Sequence, residues 1–226
     1  MSTSLGTLSV VATPIGNLED ITLRALRVLQ ECDYILCEDT RVTKKLLKHY
    51  EINTKLKRYD AHTSDHVHTT IISELQSGKH IALVSDAGTP GISDPGVRLI
   101  EQTRAVDIPI EAIPGPSALT AAVSIAGCSG NQFTFLGFVP QKKGRETFFT
   151  NLEQYPHPVV FFESTHRIVR TLEMLANKYP TRQLMLAREL TKLHEEVLSG
   201  TPAEVLSTLE HEPVKQKGEF VVLLNN

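Results

Sequence analysis

The chain has 226 residues, 41% of them hydrophobic and 22% charged, with a formal net charge of −3. This is the composition of a soluble globular protein and excludes disordered, collagen-like and disulfide-stapled classes. The negative balance also argues against a generally basic surface, so a polyanionic partner must be met by local patches.

No apolar stretch approaches the roughly 18 residues of a membrane helix, and Met1 to Gly6 lacks the features of a secretion signal. The cysteines Cys32, Cys37 and Cys128 are odd in number, imply no bridge framework and suit a reducing compartment. The expected location is the cytoplasm, with no membrane partner.

The first half reads as repeated strand–helix units. Leu8 to Ala12 is a short apolar run closed by Thr13-Pro14-Ile15-Gly16-Asn17, the pattern of a buried strand ending in a loop. Asp20 is a candidate cap for a helix with Ile21, Ala25, Val28 and Leu29 on one face. Tyr34 to Cys37 is a second strand, followed by a helix with Leu46 and Leu47 inward and Lys44, Lys45 and Lys48 outward. Lys55 to Tyr59 is a third strand candidate, and Ile71, Ile72 and Leu75 mark a helix that stops at Gly78. Ile81 to Ser85 is the clearest buried strand, and Ile110 to Ile113 is closed by Pro114-Gly115-Pro116. Strands alternating with helices at this spacing predict a mostly parallel sheet covered by helices.

Ala118 to Gly127, small and apolar, predicts a closely packed helix. Beyond it lie strand candidates at Phe133–Phe135, Val159–Phe162, Leu184–Ala187, Val197–Leu198 and Phe220–Leu224. Helices are expected at Arg145–Leu152, Ile168–Lys178 and Ala203–Leu209. The expected division is an N-terminal α/β domain over 1–117 and a C-terminal α/β domain over 118–226.

The most informative segment runs from Ser85 through Asp86-Ala87-Gly88-Thr89-Pro90-Gly91 to Gly96, directly after the clearest strand. Ligands bind outside the carboxyl ends of parallel strands, and glycine lets backbone approach them closely. Asp86 sits at the strand tip, where its carboxylate can accept from a ligand amine or hydroxyl. Two more glycine/proline loops, Thr13–Asn17 and Pro114–Ser117, follow strands, and three on one sheet edge suffice for a pocket. Ordinary turns use the same residues, so one such loop alone would carry little weight. No Gly-x-Gly-x-x-Gly fingerprint is present, and Gly78-Lys79 lacks the upstream glycine of a phosphate loop, since position 73 is Ser73. A nicotinamide or ATP enzyme is disfavoured.

These loops, together with Glu38-Asp39-Thr40-Arg41, Gly137-Phe138 with Lys142-Lys143-Gly144-Arg145, Phe162-Glu163-Ser164-Thr165-His166-Arg167, Ala187-Arg188-Glu189-Leu190-Thr191-Lys192 and Lys217-Gly218-Glu219-Phe220, stand in one order along the chain. In them the sequence resembles the tetrapyrrole methylase superfamily, and within it the branch that methylates the ribose 2′-hydroxyl of a cytidine in the decoding region of 16S ribosomal RNA. The resemblance implies two α/β domains: an N-terminal mostly parallel sheet with helices on both faces, and a smaller C-terminal domain. It also implies S-adenosyl-L-methionine in the cleft between them, S-adenosylhomocysteine as product, the small ribosomal subunit as partner, and a homodimer. The superfamily's cofactor loops fall on Pro14, on Asp86, Ala87 and Gly88, and on Ser117, with further contacts at Phe162, Ala187 and Gly218. Tetrapyrrole-making relatives carry Gly-Asp-Pro where this chain has Ser85-Asp86-Ala87, which points to the RNA branch. Many members of that branch continue past the Gly-Glu-Phe strand with a small helical region, whereas this sequence ends at Asn226.

A ribose hydroxyl must lose a proton as it attacks a methyl sulfonium. Candidate catalytic residues are Asp39, Arg41, His62, Arg188 and Glu189. Asp39 or Thr40 is equally placed to cap a helix beside a solvated Arg41. His62 is a candidate general base, because histidine as a residue type titrates near neutrality, and Arg188, Glu189 and Lys192 either line the site or pair with one another. The histidine-rich stretch Asp60–His68 raises a metal, but nothing elsewhere completes a ligand set, so none is expected; the other histidines are expected on the surface. Lys142, Lys143, Arg145 and Arg167 form the best RNA-binding cluster, with Arg170 and the Lys44/Lys45/Lys48 face as additions. Phe138 is a candidate for base stacking, or for the core. Two other functions fit the same residues less well: a precorrin-type C-methyltransferase, and a non-enzymatic RNA-binding assembly factor with a vestigial pocket.

Overall fold

The structure is a computed structural model that describes residues 5–127 and 131–225; Cys128 lies outside them. The chain divides into two compact units, Met1–Ser117 and Ala118–Asn226.

The first unit is built on five parallel strands in the order β3-β2-β4-β1-β5. They are β1 (Thr7–Val11), β2 (Tyr34–Cys37), β3 (Leu56–Arg58), β4 (His80–Leu83) and β5 (Ile110–Ile113). The helices are α1 (Leu23–Glu31), α2 (Thr40–His49), α3 (Asp65–Gln76) and α4 (Val97–Ala105). Successive side chains of a strand point to opposite faces, and two cores result. Val11, Ile35, Cys37 and Ala82 pack with Ala25, Val28, Leu29, Leu46 and Leu47, so α1 and α2 cover one face. Leu8, Tyr34, Leu36, Ile81 and Leu83 pack with Ile71, Leu75 and Leu99, so α3 and α4 cover the other. Burial on both faces is why the central strands β2 and β4 read as nearly continuous apolar runs. Burial pushes the Cys32 thiol up to about 11 and so keeps it unreactive.

Three local expectations change. Asp20 closes a one-turn 3-10 helix, Leu18–Asp20, and the cap of α1 is Thr22, whose Oγ1 accepts from Ala25 N at 3.1 Å. The helix α4 was hidden behind the glycine/proline loop because only Leu99 and Thr103 along it are fully buried, too few to show a period. His68 is a core residue, 3% exposed. Its Nδ1 lies 2.9 Å from Gln102 Oε1, and its ring stands edge-on to Tyr59 at 5.4 Å.

One polar cluster ties α3 to the sheet. Glu74 accepts from the Tyr34 hydroxyl (2.5 Å) and from the ammonium groups of Lys57 (3.0 Å) and Lys79 (2.6 Å). Burial alone would raise its pKa, but these three donors hold it down at about 2, against an ordinary 4.5. A carboxyl depressed on folding contributes stability above its unfolded pKa, and that contribution is lost as pH falls through the folded value. Glu74→Gln is therefore expected to cost about 1–3 kcal/mol near neutral pH. In urea denaturation the gap to the parent should close as the pH falls from 4.5 to about 2; a gap independent of pH over that window would show that the ionised carboxylate is not what matters.

The second unit holds a mixed sheet in the order β6-β7-β10-β8-β9. Its elements are α5 (Ala118–Ile125), β6 (Thr134–Phe138), α6 (Arg145–Thr150), β7 (Val159–Ser164), α7 (Ile168–Lys178), β8 (Leu184–Arg188), β9 (Glu196–Gly200), α8 (Pro202–His211) and β10 (Glu219–Leu224). Only β6 and β7 are parallel; β10 runs antiparallel between β7 and β8. Phe149, Phe161, Leu172, Leu186, Leu209 and Val222 belong to one core under α6, α7 and α8. The expected helix from Arg145 stops at Thr150 and continues as a 3-10 turn, Asn151–Gln154. The helix α5 is less closely packed than expected: only Ala122 is fully buried, and Ile125 is half exposed.

Candidate active site

In the first unit the three glycine/proline loops meet at the carboxyl ends of β4, β1 and β5. Thr13 and Gly88 exchange backbone hydrogen bonds, each of 2.9 Å. Thr13 Oγ1 donates to Ser85 O at 3.2 Å, and Ser85 Oγ donates to Ala87 O at 3.2 Å. Thr89 Oγ1 donates to Pro116 O at 3.1 Å, joining the third loop. Gly88 has φ +79°, and a Cβ there would stand 3.4 Å from Ile15 Cγ2 and 3.8 Å from Pro116 O. Only glycine takes this conformation without strain. Asp86 is half-buried, Ala87 is exposed, and Pro14 and Ser117 are half-buried at the same strand ends.

The neighbouring end of β2 adds the acidic group. Asp39 N donates to Asp86 Oδ1 at 2.9 Å, which brings two of the expected residues together and orients the Asp86 carboxylate. Asp39 is also the N-cap of α2: its Oδ1 accepts from Arg41 N at 2.8 Å, and its Oδ2 pairs with Arg41 Nη2 at 2.6 Å. The Arg41 guanidinium and amide beside it hold the Asp39 carboxyl down at about 2. Glu38 is shifted the other way, first by burial and then by the carboxylates of Asp86, Asp94 and Asp60. Burial raises Asp94 as well. Neither Glu38 nor Asp94 stands out in the sequence as a candidate, although Glu38 precedes Asp39 and Asp94 lies within the Ser85–Gly96 loop. His62 stands in an exposed turn after β3, its N–H donating to Asp60 Oδ1 at 2.9 Å. Among the described residues no three His, Cys, Asp or Glu side chains form a metal-binding group, and no helix is long and apolar enough to cross a membrane.

In the second unit the expected residues separate by role. Arg188 is 8% exposed, and its guanidinium donates to Lys217 O (2.7 Å), His194 O (3.0 Å) and Val214 O (3.4 Å). Its donors are taken up by backbone, so it clamps loops instead of facing solvent. Glu189 pairs with Lys192 at 2.9 Å and accepts from Glu219 N at 2.8 Å. Both Glu189 (φ 50°) and Thr191 (φ 65°) adopt a left-handed backbone that non-glycine residues rarely take. Thr165 Oγ1 donates to Gly218 O at 2.6 Å and accepts from Gly218 N at 2.9 Å. Phe162 stacks edge-on against Phe135 (4.9 Å) and Phe138 (5.3 Å), while Ala187 is fully buried within the sheet.

The basic cluster divides too. Lys142 and Lys143 are exposed, as are Lys44, Lys45, Lys48 and Arg170. Phe138 is 53% exposed. Arg145 is 4% exposed and bound to the fully buried Glu163 and Thr171, which removes it from the solvent-facing group. Arg167 is turned toward Ser164, Glu163 and Val139 O. A run of basic residues cannot reveal that a partner 18 positions away draws one of them inside.

A parallel sheet with glycine loops and an acidic strand tip at its carboxyl ends, followed in the same chain by a mixed five-stranded sheet, defines a class of two-unit α/β enzymes. The family model "Tetrapyrrole (Corrin/Porphyrin) Methylases" matches residues 7–206, and the chain belongs to that family. Its relatives include "Ribosomal RNA small subunit methyltransferase I" of Neisseria meningitidis serogroup A, 48% identical over 97% of this chain and 76% of that protein. The protein of the same name from Thermotoga maritima is 43% identical over 98% of this chain and 99% of its own length. Among solved structures, a cobalt precorrin-4 methyltransferase superposes with a TM-score of 0.72 at 16% identity, covering 97% of this chain and 94% of that one. A diphthine synthase superposes with a TM-score of 0.73 at 14% identity, covering 97% and 90%. At such identities these two establish the fold alone.

Proposed function

We propose that the protein transfers a methyl group from S-adenosyl-L-methionine to the ribose 2′-hydroxyl of a cytidine in small-subunit ribosomal RNA. The observation that carries this reading is the junction of the Thr13, Gly88 and Pro116 loops beside the hydrogen-bonded pair Asp39 and Asp86. It stands in a chain that shares 43–48% identity with relatives named for that rRNA activity. A uroporphyrin-III C-methyltransferase of the same fold, from Thermus thermophilus, is described in complex with S-adenosyl homocysteine, which supports the same class of donor here.

The junction fits such a donor chemically. The Asp86 carboxylate, half-buried at the strand end, suits an amine, a hydroxyl or the field of a sulfonium. Pro14, Asp86, Ala87, Gly88 and Ser117 are the residues assigned to hold it. When bound, the donor supplies an electrophilic methyl on a positively charged sulfur. The chain must then align the hydroxyl and accept its proton. Asp39, held near 2 by Arg41, is a poor proton acceptor at neutral pH and is assigned to orienting Asp86. Glu38, with its raised affinity for protons, is better matched to accept one. Lys142 and Lys143 are assigned to RNA phosphates. The proposal includes a cytoplasmic homodimer, in keeping with the family resemblance.

Calorimetric titration of S-adenosylmethionine tests the pocket, and transfer of a tritiated methyl to unmethylated small subunits tests the reaction. Asp86→Ala is expected to weaken donor binding about tenfold, the loss of one charge-assisted hydrogen bond. If the folded parent does not bind the donor at all, a non-enzymatic RNA-binding role takes the place of this reading. Methylation of a porphyrinoid but not of RNA would favour the tetrapyrrole branch instead.

A further inference from the structure

Beneath the β6–α6 loop lies a charged cluster that the reaction does not use. Glu163 on β7 is fully buried, and both of its oxygens are occupied. Oε2 accepts from Thr171 Oγ1 (2.6 Å) and Arg145 Nη1 (3.3 Å). Oε1 accepts from Ser164 N (2.8 Å) and pairs with Arg167 Nε (3.0 Å). Burying such ions costs several kcal/mol that their attraction barely repays, so stability alone is a weak reason for the cluster.

The far sides of the two guanidiniums show what it does. Arg145 Nη1 also donates to Pro140 O (3.4 Å), and Arg167 Nη1 donates to Val139 O (2.8 Å). These two consecutive carbonyls form the root of the loop that carries Lys142 and Lys143. The loop's other end turns into α6 through Gly144, in left-handed conformation at φ 86°, and Arg145 is the first residue of that helix. The helix is held again by Lys178, which pairs with Glu146 at 2.7 Å. The loop is thus pinned at both ends by side chains converging on one carboxylate. Two guanidiniums against one carboxylate leave a net positive charge below it, and Arg145 Nε has no hydrogen-bond partner. Above it, Lys142 and Lys143 are exposed and form no ion pair among the described residues. In a chain of net charge −3, this concentration of unpaired positive charge suits a phosphate backbone.

We propose that Glu163 is a positioning residue. Through Arg145 and Arg167 it sets the Val139 and Pro140 carbonyls and so presents Lys142 and Lys143 to the RNA phosphates in a fixed geometry. This rests on the RNA reading above, and it gives Arg145 and Arg167 the role of a frame, not of contacts. The ordering cost of two long side chains is then met in folding and not at binding.

The test is a double-mutant cycle on the full chain. A transcript of unmethylated small-subunit rRNA is the probe, its affinity is measured at several salt concentrations, and donor affinity is measured in parallel. The double variant Lys142→Ala/Lys143→Ala is expected to lose about tenfold in RNA affinity and to flatten the log–log salt slope by roughly 1.5. Glu163→Gln alone is expected to lose a similar factor, and the combined variant no more than either, because the lysines no longer act once their frame is gone. Donor affinity should stay at the parent value throughout. Should Glu163→Gln not fold, Arg167→Met, which frees the Val139 carbonyl, must show the same non-additivity.

Losses that multiply independently, an RNA affinity untouched by Glu163→Gln, or an unchanged salt slope in the lysine double variant would each overturn the proposal, as would a parent that does not bind the transcript. A purely structural Glu163 would lower the melting temperature without producing the non-additive pattern. A parent that binds RNA through these lysines but binds no donor would sink the methyltransferase reading and leave this one standing.

Discussion

Gly88→Val is expected to weaken S-adenosylmethionine binding by about 100-fold, or roughly 3 kcal/mol. Gly88 sits at φ +79°, where a residue with a Cβ is strained by about 1–2 kcal/mol and a β-branched one by more. Its N–H and C=O are both committed to Thr13, at 2.9 Å each, so the peptide cannot rotate out of the strained region without breaking both bonds. The new Cβ would stand 3.4 Å from Ile15 Cγ2, and the valine methyls would reach beyond it toward Pro116 O. The substitution therefore pushes apart the three loops assigned to the donor. Gly127→Ala is a control: it too has positive φ, 62°, but a Cβ there meets nothing within 4 Å. Calorimetry on both variants, with circular dichroism to verify folding, separates backbone strain in general from damage to this junction. Donor binding by Gly88→Val within about threefold of the parent, a difference of under 1 kcal/mol, would remove the junction as the donor site.

Gly6→Ala is expected to destabilise the chain by about 3–5 kcal/mol, at the upper end of what single substitutions do. A Cβ at Gly6 would lie 1.9 Å from Lys79 O and 2.8 Å from Leu75 O, and both are backbone atoms that cannot swing aside. The strand β1 begins here against the turn between α3 and β4. Gly6 N donates to Leu75 O at 2.8 Å and Thr7 N to Lys79 O at 3.1 Å. Relieving the overlap means lifting β1 from that turn, losing both bonds at about 1 kcal/mol each along with apolar packing around Leu8 and Leu75. Urea denaturation reads the effect directly. A loss below about 1 kcal/mol would mean that the start of β1 is far more adaptable than its contacts suggest.

Both effects depend on positions whose importance is only partly visible in the amino-acid order. The Gly88 loop stands out because a glycine- and proline-rich stretch follows an apolar run ending at an acidic residue. Gly6, in contrast, is one small residue near the start of the chain, and nothing local shows that the Lys79 carbonyl, 73 positions on, presses against it. The same contrast runs through the charged residues. Asp39 was read either as a helix cap or as part of the site, and the structure makes it both: it caps α2 and donates its own N–H to Asp86. Arg145 stands in one basic run with Lys142 and Lys143, which groups it with them as an RNA-binding residue, whereas Glu163 and Thr171 draw it inside. Arg188 was read as a candidate for chemistry, and three carbonyls take up its donors.

Short-range order carried most of the elements. Buried strands such as Tyr34–Cys37 and the amphipathic helix Ile168–Lys178 follow from apolar runs, periodicity and the residues that bound them, all of which act within a few residues of one another. The loops that follow β1, β4 and β5 were legible for the same reason. Their junction was not, because the bonds between Thr13 and Gly88 and between Thr89 and Pro116 join segments that meet only when β1 lies between β4 and β5. The insertion of β10 between β7 and β8, the burial of Glu163 with two arginines and the opposed shifts of Glu38 and Asp39 are likewise decided by tertiary structure. Propensity and periodicity are local, whereas strand pairing, desolvation and the field of neighbouring charges depend on which distant residues the fold brings within a few ångströms.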